Sequence, residues 1–393
     1  MTDTRPMSLG MVVGESSGDL LASALLRGLS DRAAPQVLKS YGIGGPRLTE
    51  QGFQSWWPAE SLAVNGYLEV FQAYPRLWRM RRELIRRMGV VHPDVFLGVD
   101  APDFNLGVEI ALRREGIRTA HFVSPSIWAW RRERVDRIRA AVDRMLLVFP
   151  FEQAIYQSAG IPATYVGHPL ADQIPIEPDR HAARARLATI GVPPEGPIIA
   201  LLPGSRGAEV RHIGPLFLET AAWIVERRPE FQIVLPAATP NLHRVLQQIL
   251  LGMGRRAETL RERLTLIQGQ SHDALAAGAV TLVASGTASL EAALFGLPMV
   301  IAYRMHPLNY RIMKRMAYLP WIGLPNILAN ESLVPEFVQD AVVPAAMGQS
   351  VIDQHDDDLG RTRLRERFSV IHASLAQDCS QRSAEVLLDL ARR

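Results

Sequence analysis

The chain has 393 residues, of which 48% are hydrophobic and 21% charged, so disordered and fibrous classes are excluded. Its formal net charge of +3 is too small to indicate a nucleic-acid partner, and the single cysteine, Cys379, excludes a disulfide framework and a cysteine-ligated zinc site. Of the 43 basic residues 41 are arginines, a bias that genomic composition explains more simply than phosphate binding does, so each arginine must be judged by its position.

Short apolar runs alternate with amphipathic stretches in the first half of the chain. This pattern predicts parallel strands joined by right-handed helical crossovers. The predicted strands cover residues 8–13, 94–99, 119–123 and 145–149, and the predicted helices cover residues 20–29 and 104–115. Six prolines between residues 169 and 197, around a charged helix, indicate a linker between two domains.

The second half begins again with a strand, a Gly/Ser turn and a helix. Its predicted strands cover residues 197–202, 231–235, 264–267, 280–283 and 298–303. The sequence therefore predicts an α/β protein with two Rossmann-like, doubly wound parallel-sheet domains that face a central cleft. Ligands of such sheets bind outside the carboxyl ends of the strands.

The turn at residues 201–206 is a candidate phosphate site. A strand that ends in Gly-Ser before a helix leaves backbone N–H groups and the positive end of the helix dipole for an anion. Arg206 would add a charge-assisted, bidentate contact. An ordinary strand–helix turn with Arg206 in solvent explains the same residues equally well.

A second turn, Ser285-Gly286-Thr287, follows the apolar run 280–283 and opens another helix. Ser285 or Thr287 could cap this helix, its first N–H groups could hold a diphosphate, and Glu291 could accept both hydroxyls of a ribose. The alternative is an N-cap followed by a structural glutamate. Two such turns in one domain favour a nucleotide diphosphate.

Two acidic clusters lie at strand ends in the first half. Asp103 is expected to cap the helix that follows, whereas Asp100 is separated from this helix by a proline and could take a proton from a substrate hydroxyl. The first turn contains a polar cluster that suits sugar hydroxyls better than phosphates, formed by Glu15, Ser17 and Asp19.

The histidines do not show the spacing of metal ligands, so neither a metal nor another cofactor is expected. His168, within Gly167-His168-Pro169, is expected to be a structural turn residue. No run approaches the ~20 apolar residues that span a bilayer, and the N-terminus does not fit a signal peptide, which predicts a cytoplasmic protein.

Residues 74–88 combine six arginines with large apolar side chains, as in a basic amphipathic helix. This pattern is compatible with docking on an anionic membrane surface, or with a helix that packs on the core and exposes a basic face. Residues 303–321 repeat the mixture. The residues considered for membrane or acyl-chain contact are Trp78, Arg81, Arg82, Leu84 and Ile85.

Nine short blocks together resemble the lipid-A-disaccharide synthase family, in the order in which that family has them. They include Gly14-Glu15-Ser16-Ser17-Gly18-Asp19, the blocks at residues 98–105 and 123–130, and Leu202-Pro203-Gly204-Ser205-Arg206. The others lie at residues 42–46, 149–152, 166–170, 285–288 and 324–328. Their joint occurrence is highly specific, although no single block is decisive.

The resemblance implies an inverting glycosyltransferase of the GT-B fold that acts in lipid A biosynthesis. It would join UDP-2,3-diacylglucosamine to 2,3-diacylglucosamine 1-phosphate (lipid X), forming a β-1,6 disaccharide and releasing UDP, at the cytoplasmic face of the inner membrane. Asp100 would be the general base, Arg206 a diphosphate ligand and Glu291 a ribose ligand. Further site residues would be Glu15, Ser17, Ser285, Gly286, Thr287 and Asn326.

The resemblance also bears on domains and partners. It places the domains at residues 1–173 and 174–350, with residues 351–393 as a helix that returns to the first domain. It favours the membrane interpretation of the basic stretches and leaves a homodimer open. The alternatives are another UDP-N-acetylglucosamine-using GT-B enzyme, such as a 2-epimerase or the peptidoglycan glycosyltransferase, and a non-catalytic UDP-sugar-binding protein.

Overall fold

A computed structural model describes residues 6–14, 16–34, 37–62, 67–128, 132–254, 258, 260–306, 310–311, 314 and 318–392. Contacts divide the chain into two compact units. Unit 1 comprises Met1–Asp172 and Ser374–Arg393, and unit 2 comprises Gln173–Ala373. Each unit contains one parallel sheet with helices packed on it, so the predicted α/β class with two doubly wound sheets is confirmed.

The sheet of unit 1 has seven strands in the order β3-β2-β1-β4-β5-β6-β7, and all of its pairs are parallel. The strands are β1 Met7–Val13, β2 Leu38–Gly44, β3 Gln54–Pro58, β4 Val95–Val99, β5 Arg118–Phe122, β6 Arg144–Leu147 and β7 Ala163–Tyr165. β4 is buried along its whole length, because helices cover both faces of such a sheet. This explains why continuous apolar runs identified the central strands.

Helices connect these strands and form the two outer layers of unit 1. They are α1 Ser16–Ala33, α2 Pro46–Thr49, α3 Tyr67–Val91, α4 Pro102–Arg114, α5 Val135–Ala141, α6 Glu152–Ser158 and α7 Pro169–Gln173. α3 is longer than the basic stretch read from the sequence, because the helix continues on the N-terminal side of Pro75. Within the described residues, no helix combines the length and the apolar character needed to cross a bilayer.

The sheet of unit 2 has six strands in the order β10-β9-β8-β11-β12-β13, again all parallel. The strands are β8 Ile198–Leu202, β9 Gln232–Ala237, β10 Leu264–Gln268, β11 Val280–Ala284, β12 Met299–Tyr303 and β13 Glu336–Val338. The helices are α8 Arg180–Ala188, α9 Gly207–Arg227, α10 Pro240–Gly252, α11 Ser271–Ala277, α12 Thr287–Leu294, α13 Leu324–Ala329, α14 Pro344–Asp356 and α15 Asp358–Leu375.

The end of the chain completes unit 1 with helix α16, Cys379–Ala391. α16 packs along α1, where the hydroxyl of Ser380 donates a hydrogen bond to the carbonyl of Ala24 at 2.9 Å. Gly28 allows this approach, since a Cβ atom there would overlap Ser380. The region expected to be one returning helix, residues 351–393, contains the end of α14 and the whole of α15 as well as α16.

Candidate active site

Asp100 lies in a strained turn at the carboxyl end of β4, and its side chain is partly exposed. Asp100 and Ala101 have φ angles of +51° and +44°, which residues with a Cβ atom rarely adopt. The Asp100 N–H donates to the Phe122 carbonyl at 2.9 Å, and the Asp100 carbonyl accepts from Nδ2 of Asn105 at 2.8 Å. Neighbouring strand and helix thus fix this backbone, as is common where a functional side chain is positioned.

The expectation that Asp103 caps the next helix is wrong. α4 begins at Pro102 with Ala101 at the N-cap and no side-chain capping bond. Proline favours the first helical position, so the helix starts at Pro102, two residues earlier than expected. Asp103 therefore lies inside the first turn, is exposed, and accepts a hydrogen bond from Arg134 at 2.6 Å.

The polar cluster in the first turn has a partly structural role. Glu15 lies outside the described residues, and Ser17 is placed in α1 without a described side chain. Asp19 is buried, and its carboxylate accepts hydrogen bonds from the N–H groups of Gly45 and Arg47, both at 3.0 Å. Asp19 thus stabilises the start of α2.

An aromatic cluster follows β5, β6 and β7. Trp128, Phe149, Phe151 and His168 contact one another with ring centroids 5.2–6.3 Å apart. Burial lowers the pKa of His168 to about 4, and its Nδ1 accepts from the Leu170 N–H at 3.2 Å. His168 is therefore a neutral turn residue, the structural role expected for it.

Beside this cluster lies a buried carboxyl group that sequence reasoning did not single out. Glu152 accepts a hydrogen bond from the Phe149 N–H at 3.1 Å, while its Oε1 has no partner among the described residues. Burial raises the pKa of Glu152 to about 8. The side chain is therefore largely protonated at neutral pH. The one sequence feature that could have drawn attention to Glu152 is its position in the family block at residues 149–152.

In unit 2, the 201–206 turn differs from the expectation of N–H groups open to an anion. Arg206 is the N-cap of α9 and its side chain is exposed. Glu209, in the first turn of α9, accepts hydrogen bonds from the backbone N–H groups of Ser205 and Arg206, as in a capping box. Burial raises the pKa of Glu209. The turn bends closely round this carboxylate, since Gly204 has a φ of +118° and a Cβ there would overlap it.

The second turn of unit 2 is capped by backbone alone. The N-cap of α12 is Gly286 with a φ of +147°, and neither Ser285 nor Thr287 makes the side-chain cap that was expected. The Ser285 hydroxyl donates instead to the Ile322 carbonyl at 2.8 Å. Gly286 and Thr287 are exposed, and a Cβ at Gly286 would meet nothing within 4 Å. The space next to this helix start is therefore open.

Asn326, expected to line the site, is completely buried. Its Nδ2 donates to the Val334 carbonyl at 3.0 Å and to Glu336 at 2.8 Å, and its Oδ1 accepts from the backbone N–H groups of residues 333–334. These four hydrogen bonds use the whole amide. Glu336 accepts in turn from the N–H groups of residues 322–323, the segment that holds Ser285. Asn326 therefore supports the turn at Ser285 through Glu336 and residues 322–323, and its amide has no hydrogen-bonding group left for a ligand.

Glu291 is paired with a histidine from the preceding helix. Nε2 of His272 lies 3.5 Å from Oε2 of Glu291, whose side chain is 18% exposed. The hydrogen bond with Glu291 raises the pKa of His272. His272 and Glu291 lie 19 positions apart in the sequence, so no local sequence pattern predicts their contact. The fold brings them together because it places α11 next to α12.

The comparison with known proteins is decisive about the family. The family model described as lipid-A-disaccharide synthetase matches residues 9–386. The lipid-A-disaccharide synthase of Azoarcus sp. (strain BH72) is 48% identical over 380 residues, covering 97% of this chain and 95% of the relative. The chain belongs to the lipid-A-disaccharide synthase family. It is therefore a glycosyltransferase of lipid A biosynthesis.

Solved structures agree on the fold of this family member. The UDP-GlcNAc 2-epimerase of Methanocaldococcus jannaschii, in complex with UDP-GlcNAc and UDP, superposes with a TM-score of 0.64 at 11% identity, covering 98% of this chain and 100% of that one. A glycosyltransferase from Rickettsia africae ESF-5 superposes with a TM-score of 0.60 at 9% identity, covering 98% of each chain. The predicted GT-B fold is confirmed.

The basic helix α3 of this synthase family member has one buried and one exposed face. Leu84 is completely buried and Ile85 packs on the same core cluster, so the prediction that Leu84 contacts a membrane is wrong. Met80, Leu84 and Met88 follow each other at four-residue spacing and form the apolar stripe on the core.

Two arginines of α3, Arg81 and Arg82, also lie on different faces of the helix. Arg81 lies against α4, where it donates to the Asp103 carbonyl at 2.8 Å and covers the Phe104 ring at 4.9 Å. Arg82 is exposed and lies 4.7 Å from the ring of Trp78, which is 46% exposed. Trp78 and Arg82 therefore remain available at the surface. Much of the second basic stretch, 303–321, lies outside the described residues.

Proposed function

We propose that the chain transfers 2,3-diacylglucosamine from UDP-2,3-diacylglucosamine to the 6-hydroxyl of 2,3-diacylglucosamine 1-phosphate (lipid X), with inversion at the anomeric carbon. In this reaction a bond forms between the acceptor O6 and the donor C1, and the bond from C1 to the diphosphate breaks. The products are the β-1,6-linked disaccharide 1-phosphate and UDP. One displacement needs one general base and one stabilised leaving group.

Asp100 is the proposed general base. The observation that carries this assignment is the turn itself: a partly exposed carboxylate at the carboxyl end of a central strand, held by two backbone hydrogen bonds in a strained conformation. Ligands of parallel sheets bind at this edge. In the reaction, the proton of the acceptor O6 passes to the Asp100 carboxylate as O6 attacks C1. Glu15 and Ser17 remain candidates for acceptor contacts.

Unit 2 is the proposed donor side. Arg206 would pair with the diphosphate of UDP, because its planar guanidinium can donate two hydrogen bonds to phosphate oxygens. The open helix start at Gly286 and Thr287 would receive the same diphosphate, and Glu291 would accept the ribose hydroxyls. The developing charge on the leaving group would be stabilised by these groups. The proposal therefore expects no metal requirement.

Both proposed substrates carry acyl chains, so the enzyme must meet them at a lipid surface. The exposed pair of Trp78 and Arg82 on α3 supports peripheral contact with the cytoplasmic face of the inner membrane. An aromatic ring with an adjacent arginine suits the boundary between headgroups and acyl chains.

The test is to mix the purified protein with both acylated substrates in EDTA and to measure UDP release together with disaccharide formation. We expect one UDP per disaccharide and a β-anomeric linkage in the product. Absence of turnover, or turnover only with added divalent metal, would contradict the proposal. A parallel reaction with UDP-N-acetylglucosamine tests the alternatives: its conversion without an acceptor would indicate an epimerase, and saturable binding without turnover a non-catalytic binder.

A further inference from the structure

A completely buried acid–histidine pair lies below the Asp100 turn. Oε1 of Glu109, on α4, is 2.6 Å from Nδ1 of His121, on β5, and both side chains have no exposed surface. Gly98 of β4 is paired in register with His121. A Cβ atom at Gly98 would overlap Glu109 and come within 3.0 Å of His121 Nδ1. At Gly98, two residues before Asp100, β4 therefore has no side chain, and this leaves room for the pair.

Three buried polar atoms in this region lack hydrogen-bond partners among the described residues. They are Oε2 of Glu109, Nε2 of His121 and Oδ1 of Asn105. Asn105 also holds the Asp100 carbonyl through its Nδ2. An apolar core of the same volume would avoid the cost of such atoms, so the fold does not keep this cluster for stability alone.

The 2.6 Å contact with Glu109 favours a positive charge on His121, although burial also raises the pKa of Glu109. Burial opposes this charge, but Glu109 in contact and Asp100 near by together raise the pKa of His121. The backbone of Val123 acts in the same direction. Val123 has a φ of +72°, an unusual conformation for a β-branched residue.

Among the described residues, Glu109 and Asp100 are the charged groups that shift the pKa of His121. The carboxylate of Asp103, on α4, pairs with Arg134 at the surface. The side chains that α16 buries are uncharged, because burial also raises the pKa of the Cys379 thiol to about 12. Glu109 and Asp100 are thus the two carboxylates that act on His121.

We propose that His121, oriented and kept protonated by Glu109, is a positioning residue for the reaction, and that its positive charge holds Asp100 in the carboxylate form that accepts the acceptor proton. The inference rests on the proposed role of Asp100 and adds the groups that support it. Neither Glu109 nor His121 touches the substrate. Glu109 orients His121, and His121 acts on Asp100 by its charge. Asn105, beside the pair, holds the Asp100 carbonyl by a hydrogen bond.

The experiment measures kcat/KM against pH for the wild type and for Glu109→Gln and His121→Phe. Either substitution removes the cation, the first because a buried imidazole without a counter-charge loses its proton. We expect the acidic limb of the profile to move to higher pH by on the order of one pH unit in both variants. Thr119→Val is the matched control, because Thr119 lies on the same strand as His121 and its buried hydroxyl donates a hydrogen bond to the Ala141 carbonyl of α5 at 2.7 Å. This control should leave the limb in place.

The outcomes separate this inference from the proposed function. A wild type without transferase activity overturns the proposed function, and this inference with it. If the wild type transfers sugar through Asp100 but the acidic limb stays unchanged in folded Glu109→Gln, only this inference is overturned. Binding of UDP, which the proposal assigns to unit 2, should be the same in all variants.

A second measurement does not require that Glu109→Gln or His121→Phe fold. Nitrogen-15 chemical shifts of the histidine rings report their protonation, and His121 is assigned as the ring perturbed most by Asp100→Asn. We expect both ring nitrogens of His121 to carry protons at pH 7. A neutral His121 ring at that pH would overturn the inference.

Discussion

Three turns follow parallel strands in the same way: the turn at Asp100 in unit 1 and the turns at Arg206 and Gly286 in unit 2. They differ in which residues adopt positive φ angles and in how the backbone is held. The first places two non-glycine residues at positive φ and fixes them with hydrogen bonds. The others place glycines at φ +118° and +147°, next to the exposed residues Arg206 and Thr287. Hydrogen bonds thus fix the direction of the Asp100 side chain, whereas in unit 2 the turn at Gly204 closes round Glu209 and the helix start at Gly286 is open.

The largest expected effect is that of Asp100→Asn. The substitution keeps the size of the side chain but removes the proton acceptor, so kcat should fall about 10²- to 10⁴-fold. UDP affinity, measured by calorimetry, should remain that of the wild type because the proposed donor groups lie in unit 2. Retention of more than a tenth of the activity would show that the rigid turn serves another purpose.

Arg206→Ala tests the other side of the comparison. Loss of a charge-assisted hydrogen bond costs about 1.5–3 kcal/mol, so the Kd for UDP should rise about 10- to 100-fold. Arg227→Ala, at the far end of the same helix, provides the control. Equal affinities of the two variants would place the diphosphate elsewhere.

Glu152→Gln tests how the buried carboxyl group in unit 1 makes the free energy of unfolding depend on pH. The folded-state pKa of Glu152 is about 8, above its unfolded value of 4.5, so the native state binds more protons in this interval. Stability should therefore fall as pH rises from about 4.5 to 8, by up to about 1.4 kcal/mol per pH unit. Urea denaturation at several pH values should show a weaker slope in Glu152→Gln. Identical slopes would mean that another group titrates.

The smallest effect is expected at the exposed pair of Trp78 and Arg82 on α3. Arg82→Ala should weaken binding to anionic vesicles by about 1 kcal/mol, roughly fivefold, and the difference should shrink at high salt. Unit 2 offers a matched control, since Arg227 covers the ring of Trp223 at 3.9 Å in a similar pair. If Arg227→Ala weakens vesicle binding as much, the contact is not specific to α3.

The sequence was sufficient for the family and for nine of the thirteen strands described, because buried parallel strands are short apolar runs and the motif blocks lie at their ends. It did not predict β2, β3, β7 and β13, which contain polar or only partly buried residues. Asp103 was misplaced since Pro102, rather than an acidic cap, decides where α4 begins. Leu84 was misjudged because a helix with two distinct faces has the same composition whichever face meets the core.

The supporting groups escaped prediction for a different reason. Glu209 was not singled out in the sequence, yet its carboxylate accepts hydrogen bonds from the N–H groups that were expected to be open to phosphate. The contact of His272 with Glu291, and the use of Asn326 and Glu336 behind Ser285, depend on elements that only the fold brings together. A single sequence contains no local signal for such long-range partners.

The packing of α16 on α1 has a consequence for how the protein is made. The hydrogen bond from Ser380 to Ala24 joins residues 356 positions apart, so α1 has no permanent partner on this face until the ribosome has nearly finished. At synthesis rates of about 5–20 residues per second, the interval is on the order of 20–70 s. Unit 2 can be complete before unit 1, although unit 1 begins first. Chaperones that shield the apolar face of α1 during this interval should therefore increase the yield of folded protein.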